Sequence, residues 1–179
     1  MRALFPKKLS KGLTLVELSI VVGIAGVLLS LTVVGATSVF ASTRAEAEID
    51  ELSATVMNIQ RSYAKQNSFQ AVTQPLLLAL KVFPASRVNG TTVLNRWDGH
   101  VTAAPATVTT SFDSVALTST DIPSEECAHM VRGVEHMMKE IRVNTTVVKT
   151  ATQFSAEPGA LNTACQAGVR AAVTFTFGK

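Results

Sequence analysis

Hydrophobic and polar positions divide the chain into stretches of different periodicity. From Leu18 to Thr43 no charged residue occurs across 26 positions, and most of them are apolar. As a helix this stretch would measure roughly 39 Å at 1.5 Å per residue, enough to cross a ~30 Å hydrocarbon core with some tilt. Charges return at Arg44, Glu46, Glu48, Asp50 and Glu51, while Ile49, Leu52, Val56, Ile59 and Tyr63 recur at three- and four-residue spacing. Those five positions share one helix face. No proline interrupts the chain between Pro6 and Pro75. The pattern predicts one helix from about Thr14 to Gln66, apolar all round in its first half and striped in its second.

Shorter elements follow. Asn67 to Thr73 is polar and reads as a loop. Thr73-Gln74-Pro75 opens a short apolar helix through Leu80, which Phe83-Pro84 closes. Asn89-Gly90 and Asp98-Gly99 are turn signals, and Trp97 beside the second is expected to anchor a loop on the core. Val101 to Val108 and Ser111 to Thr118 read as strands, with Phe112 and Val115 as packing residues. Asp121 to Glu126 has the cap, proline and carboxylates of a helix start, and Cys127, Val131, Val134, Met138 and Ile141 make the stripe behind it. Ile141 to Val148 returns to β-branched residues and predicts a strand. Ala156-Glu157-Pro158-Gly159 predicts a turn, and Leu161 to Cys165 a brief helix or loop. In Arg170 to Phe177, Ala171, Val173, Phe175 and Phe177 face one way and Thr174 and Thr176 the other, the period of a strand. That strand belongs centrally in a sheet with the long helix as its cover. The fold class expected is α+β, with the long N-terminal helix packed on a mostly antiparallel sheet.

Charge sharpens this picture by its placement. The chain carries 16 basic and 13 acidic side chains. Arg2, Lys7, Lys8 and Lys11 precede every acid, so the first twelve residues hold +4 and the remainder is close to neutral. No basic surface of the kind nucleic-acid binding needs is gathered later in the chain. A basic start before an apolar run admits three readings: a secretory signal cut after a small residue such as Ala41, a plain membrane anchor with its basic end in the cytoplasm, or an anchor that is itself processed. Glu17, at the mouth of the apolar run, separates them poorly by itself. It can snorkel to the headgroups, or it needs a partner, because an unpaired acid in hydrocarbon costs several kcal/mol.

Candidate chemistry is sparse. Glu125, His129, His136 and Glu140 are spaced along one predicted helix, but no His-x-x-x-His pair is present, and no metal site is expected. There is no phosphate-binding glycine loop, nucleophile elbow or Cys-x-x-Cys, so neither an enzyme nor a cofactor is expected. Asn89-Gly90-Thr91 and Asn144-Thr145-Thr146 match the glycosylation sequon, a weak signal. Cys127 and Cys165 lie outside the cytoplasm on the anchor topology and invite one disulfide, the alternative being two buried thiols.

The run Lys11-Gly12-Leu13-Thr14-Leu15-Val16-Glu17-Leu18 closely resembles the class III signal of type IV pilins and their pseudopilin relatives. That signal is a short basic leader ending in glycine, then a hydrophobic first mature residue, then a glutamate as the fifth. The resemblance implies that a prepilin peptidase cuts between Gly12 and Leu13 and methylates the new Leu13 amine. It implies a leader over 1–12, a transmembrane and filament-core helix over 13–43, and a globular pilin domain over 44–179. Leu13 and Glu17 become assembly residues, and Gly23, Gly26 and Gly35 candidate helix-packing positions. A disulfide between Cys127 and Cys165 would match the disulfide-bounded surface region of pilins. The twelve-residue leader, the leucine after it and the wide cysteine spacing are more like type IVb pilins, the bundle-forming, toxin-coregulated and plasmid thin-pilus group, than type IVa. The function expected is a structural pilus subunit for adhesion, aggregation or conjugation. It would rest in the bacterial inner membrane and then enter an extracellular filament, with the peptidase, the inner-membrane assembly machinery, further copies of itself and a host-cell or surface ligand as partners. The alternatives are a minor pilin or type II secretion pseudopilin, and a membrane-tethered binding module that never polymerises.

Overall fold

The structure is a computed structural model that describes residues 14–179, without the side chains of residues 28–41. Gly12 and Leu13 lie outside the described residues. The described residues fall into two units, divided between Phe40 and Ala41. Helix α1 runs over Leu15–Ser62, close to the span its apolar pattern predicts.

Within residues 41–179 the predicted stripe is the buried face of α1. Ala45, Leu52, Val56, Ile59 and Tyr63 are buried, and Ile49 packs against the same core. The stripe meets a seven-stranded sheet in the order β1-β2-β3-β4-β7-β5-β6, every pairing antiparallel. The strands are β1 Val88–Asn89, β2 Thr92–Leu94, β3 His100–Ala106, β4 Ser114–Pro123, β5 Glu140–Val143, β6 Thr146–Lys149 and β7 Arg170–Gly178. Three short helices complete the fold: α2 Gln74–Ala79, α3 Ser124–Val134 and α4 Pro158–Cys165.

Strand β7 lies between β4 and β5, as its alternation predicts. Ala171, Val173, Phe175 and Phe177 are buried, while Thr174 shares a 2.9 Å hydroxyl hydrogen bond with Thr118 across the strand pair. Gln60 of α1 donates to the Gly178 carbonyl at 2.6 Å, tying the helix to the end of β7. At Gly133 the approach of α3 to α1 leaves no space for a side chain, since a Cβ there would stand 2.4 Å from the Ile49 Cδ1.

Three expectations need correcting. First, β4 continues through Pro123, and α3 begins at Ser124 without a side-chain cap. Pairing with β7, down to Pro123 opposite Arg170, holds the backbone that a helix cap at Asp121 would need. Asp121 instead stands at φ 60° where the β4–β7 register shifts between Ser119 and Ile122, and its carbonyl accepts from Arg170 at 2.8 Å. Second, the Cys127-to-Ile141 stripe is buried throughout but is not one helix. A 3₁₀ turn over Glu135–Met137 follows α3, and Ile141 enters the core from β5. Third, Ile141 to Val148 is a hairpin, not a strand. Asn144 at φ 53° turns β5 into β6, a conformation asparagine tolerates without glycine.

Candidate assembly surfaces

The start of α1 is a reciprocal cap. The Glu17 carboxylate accepts from the Thr14 backbone N–H and from the Thr14 hydroxyl, each at 3.2 Å, and the Glu17 N–H donates to the Thr14 Oγ1 at 3.3 Å. This is the Thr-x-x-Glu capping box, which satisfies two of the donors that a helix N-terminus leaves open. The acid also faces the positive end of the helix dipole. The three-residue spacing of Thr14 and Glu17 is the sequence signal for such a box. Beyond it, all eight large apolar side chains from Leu15 to Val27 are at least 54% exposed. Gly23 and Gly26 are open, with nothing within 4 Å of where a Cβ would stand. Gly35 is helical, among the residues whose side chains are not described. Among the described residues no helix is long and apolar enough to cross a membrane.

The striped half of α1 carries a polar clamp that the hydrophobic pattern did not reveal. Glu51 pairs with Arg87 at 2.9 Å and also with Arg96. Glu48, one turn earlier and 6% exposed, accepts the Arg96 backbone N–H at 3.1 Å. Burial raises the Glu48 pKa above the ordinary carboxylate value, and the Arg96 N–H acts against that rise. Together these bonds hold the segment carrying Arg87 and Arg96 on α1. The adjoining loop turns on the Asn95 side chain, whose Oδ1 accepts from the Trp97 and Gly99 N–H groups and whose Nδ2 donates to the Ser119 hydroxyl and the Thr120 carbonyl. Trp97, 8% exposed, is anchored on the core as expected. Glycine is required at position 99, where a Cβ would strike the Thr120 carbonyl oxygen at 2.0 Å.

Cys127 of α3 and Cys165 at the end of α4 form a disulfide with their Cα atoms 5.7 Å apart, 38 positions apart in sequence. Of the alternatives open from sequence, two free thiols are excluded. The enclosed region is tied down from inside. The buried Lys149 ammonium donates to the carbonyls of Met138, at 2.6 Å, and Glu135, and burial lowers its pKa while the Glu135 carboxylate opposes that shift. Asn144 donates to the Ala164 carbonyl at 3.3 Å and accepts from the Ala172 N–H at 2.9 Å, so this sequon asparagine joins the hairpin to α4 and β7. Glu157, placed in a turn from sequence, is the N-cap of α4, accepting from Gly159 and Ala160. Its carboxylate on two helix-start N–H groups does what a serine or aspartate does at other caps. His129 and His136 fall on α3 and on the 3₁₀ turn after it. Among the described residues no three His, Cys, Asp or Glu side chains come together as a metal set.

Of the candidate site residues, then, the structure joins Cys127 to Cys165 and places Glu17 against Thr14. Comparison with known proteins bears on the family and the fold. The family model described as PilS N terminal matches residues 42–178. No curated protein matches the sequence at a significant level. Among solved structures, TcpA, a type IV pilin from Vibrio cholerae El Tor biotype, is similar with a TM-score of 0.57 at 13% identity, over 76% of this chain and 98% of that one. A type IVb pilin from Salmonella typhi is similar with a TM-score of 0.57 at 16% identity, over 75% of this chain and 99% of that one. The antiparallel sheet with the helix laid on it is a fold shared with these pilins, and the match over residues 42–178 places the chain in the PilS N-terminal family.

Proposed function

We propose that the chain is a structural subunit of a type IVb-like pilus, assembled through its N-terminal apolar helix. The reading rests chiefly on the eight exposed apolar side chains between Leu15 and Val27 on a type IVb-like pilin. Leaving such side chains in water costs about 25 cal/mol per Å² of apolar surface, so they need lipid or other helices around them. Before assembly the cover is the inner membrane, with residues 13–43 as its spanning helix. In the filament the cover is the same helix of neighbouring copies, and transfer from one to the other keeps the segment dry.

Removal of residues 1–12 by a prepilin peptidase would place a methylated Leu13 amine beside the Thr14–Glu17 box. When copies bundle, the Glu17 carboxylate meets the amine of a neighbour, and each charge is far less costly paired than alone in hydrocarbon. A subunit slipped along the axis leaves both unpaired, which sets the register. Small residues at Gly23, Gly26 and Gly35 allow close helix approach. Assembly energy would come from inner-membrane machinery, and the finished filament would serve adhesion, aggregation or conjugation at the cell surface.

Mass spectrometry of the intact chain from cells with the peptidase tests this reading. The expected mass is that of residues 13–179 with one added methyl group and one disulfide, and sheared surface filaments should consist chiefly of this species. A mature chain that begins beyond Phe40, or an uncut chain that stays monomeric in the membrane, overturns it.

A further inference from the structure

The chain has six asparagines, and only Asn89 is followed by glycine. Asn89 closes β1, and Gly90-Thr91 turns the chain into β2. Glycine suits the first position of such a two-residue hairpin turn, and Gly90 stands there at φ 62°. Residues 88–92 are exposed, and nothing lies within 4 Å of where a Gly90 Cβ would stand. The Asn89 carbonyl accepts the Thr92 hydroxyl at 2.8 Å, but its side-chain amide has no hydrogen-bond partner among the described residues. The other hairpin asparagine is held quite differently. Asn144 is bonded through both side-chain atoms, to the Ala164 carbonyl and the Ala172 N–H. Asn95 is 1% exposed with its amide fully engaged, Asn58 donates to the Val82 carbonyl, and Asn162 accepts from Gln166. Asn67 is exposed, but Ser68 follows it and carries a side chain beside its nitrogen.

An unheld asparagine amide next to an unhindered backbone nitrogen is a reactive pair. We infer that Asn89 is a site of spontaneous deamidation, which turns a neutral hairpin tip into an anionic one. The Gly90 backbone nitrogen, having lost its proton to water, attacks the Asn89 Cγ. A new N–C bond closes a five-membered succinimide, the Cγ–Nδ2 bond breaks, and Nδ2 takes up a proton and leaves as ammonia. Water then opens the ring. Attack at Cγ gives aspartate, and attack at the main-chain carbonyl gives isoaspartate, whose backbone runs through the Cβ and is one atom longer. One water is consumed and one ammonia released, so no oxidant or reductant is needed. Glycine leaves the attacking nitrogen open because it has no Cβ. Ring closure requires Asn89 to leave its extended conformation, so the β1–β2 tip must open. Strand β1 is an edge strand of two residues held by two paired positions, the kind of element that opens at least cost. Asn144 would first have to break both amide bonds within a hairpin that also pairs with β7. The amide is not restored, so the added charge records the age of each chain.

Peptide mass spectrometry of the full-length chain, incubated at neutral and at mildly alkaline pH, tests this. The Asn89 peptide should gain about one dalton and split into aspartate and isoaspartate forms. Conversion should be faster at the higher pH, because the deprotonated Gly90 nitrogen is the nucleophile. A synthetic peptide of residues 86–93 in the same buffers serves as the clock. The folded chain should convert within about tenfold of the peptide's rate, since a short edge strand frays readily. The peptides carrying Asn95 and Asn144 should stay unchanged over that time. Isoelectric focusing should show an acidic band growing with age in wild type, absent from Asn89→Gln, whose longer side chain forms no five-membered ring, and present from the start in Asn89→Asp. Asn89 still intact when the synthetic peptide has converted overturns the assignment, as does conversion of Asn144 at an equal rate. A glycan on the Asn89 amide nitrogen, the other reading of Asn89-Gly90-Thr91, also overturns it.

Discussion

Helix α1 presents one backbone in two environments, and the contrast shows what an amphipathic pattern does that an apolar one cannot. Between Ala45 and Tyr63 the apolar residues fall on one face and are buried against the sheet, with Glu48 and Glu51 on the same element bonded to Arg96 and Arg87. Between Leu15 and Val27 the residues are just as apolar, yet they point in every direction and remain exposed. A stripe can be satisfied by a single sheet, because one face suffices. An apolar cylinder needs cover all round, which only lipid or other helices provide. The second half of α1 thus belongs to folding, and the first half is left for the association proposed above.

The largest test of that division is one substitution made in both halves. Ile59, fully buried, should cost about 2–5 kcal/mol on conversion to Ala, read as a lower unfolding midpoint of residues 41–179 in detergent-solubilised chain. Ile20→Ala, at a site 55% exposed, should leave that midpoint within about 0.5 kcal/mol of wild type. Equal losses at the two sites would erase the distinction. Replacing both Cys127 and Cys165 with Ser should come next, lowering stability by about 2–5 kcal/mol because the crosslink closes a long loop and both residues are buried. The loss should appear in the globular unit, with the helicity of α1's apolar half in lipid unchanged by circular dichroism.

The same contrast explains what was legible in sequence. Both halves of α1 were, because periodicity is a local property and a helix repeats it many times over. Strand β7 was legible for the same reason, its alternation from Ala171 to Phe177 carrying the phenylalanines that α1 covers. Where the fold departed from expectation, long-range pairing overrode a local signal. The cap written at Asp121 lost to eight paired positions between β4 and β7, and the Asn144 turn lacked the glycine that usually announces a hairpin. The Glu51 clamp could not be read at all, since Arg87 and Arg96 lie 36 and 45 positions away and nothing local links them. For the candidate site, the cysteine pair was readable as a choice between disulfide and thiols, and Glu17 as an acid in need of a partner. Thr14 as its intrachain partner was missed.

Acid sharpens the division further, with a smaller effect. Burial by itself would raise the Asp113 pKa, but N–H bonds from Val108, Thr110 and Thr109 and the Ser114 hydroxyl outweigh it and hold the carboxyl well below its ordinary value of 3.8. A folded pKa below the unfolded one gives stability that is full above 3.8 and is lost as the pH falls through the folded value. Below that window the globular unit should lose stability relative to neutral pH, and Asp113→Asn should flatten this part of the curve. An unchanged curve in the variant would remove Asp113 as the cause.

The smallest effect on folding separates the cap that Glu17 forms from the assembly role proposed for it. As half of the capping box it should contribute about 1 kcal/mol to the start of α1, and glutamine fills the same position in such boxes. As the partner of a neighbour's amine it must be negative, which glutamine is not. Glu17→Gln should therefore leave α1 helical and membrane-inserted while filaments fail to form, and Glu17→Ala should fail in the same way with a frayed first turn as well. Thr14→Ala removes the hydroxyl without touching the charge, so it should fray the turn and still assemble. Full filament yield from Glu17→Gln would mean that the carboxylate matters only as a cap. The apolar half of α1 would then take its register from shape alone, through the open positions at Gly23 and Gly26.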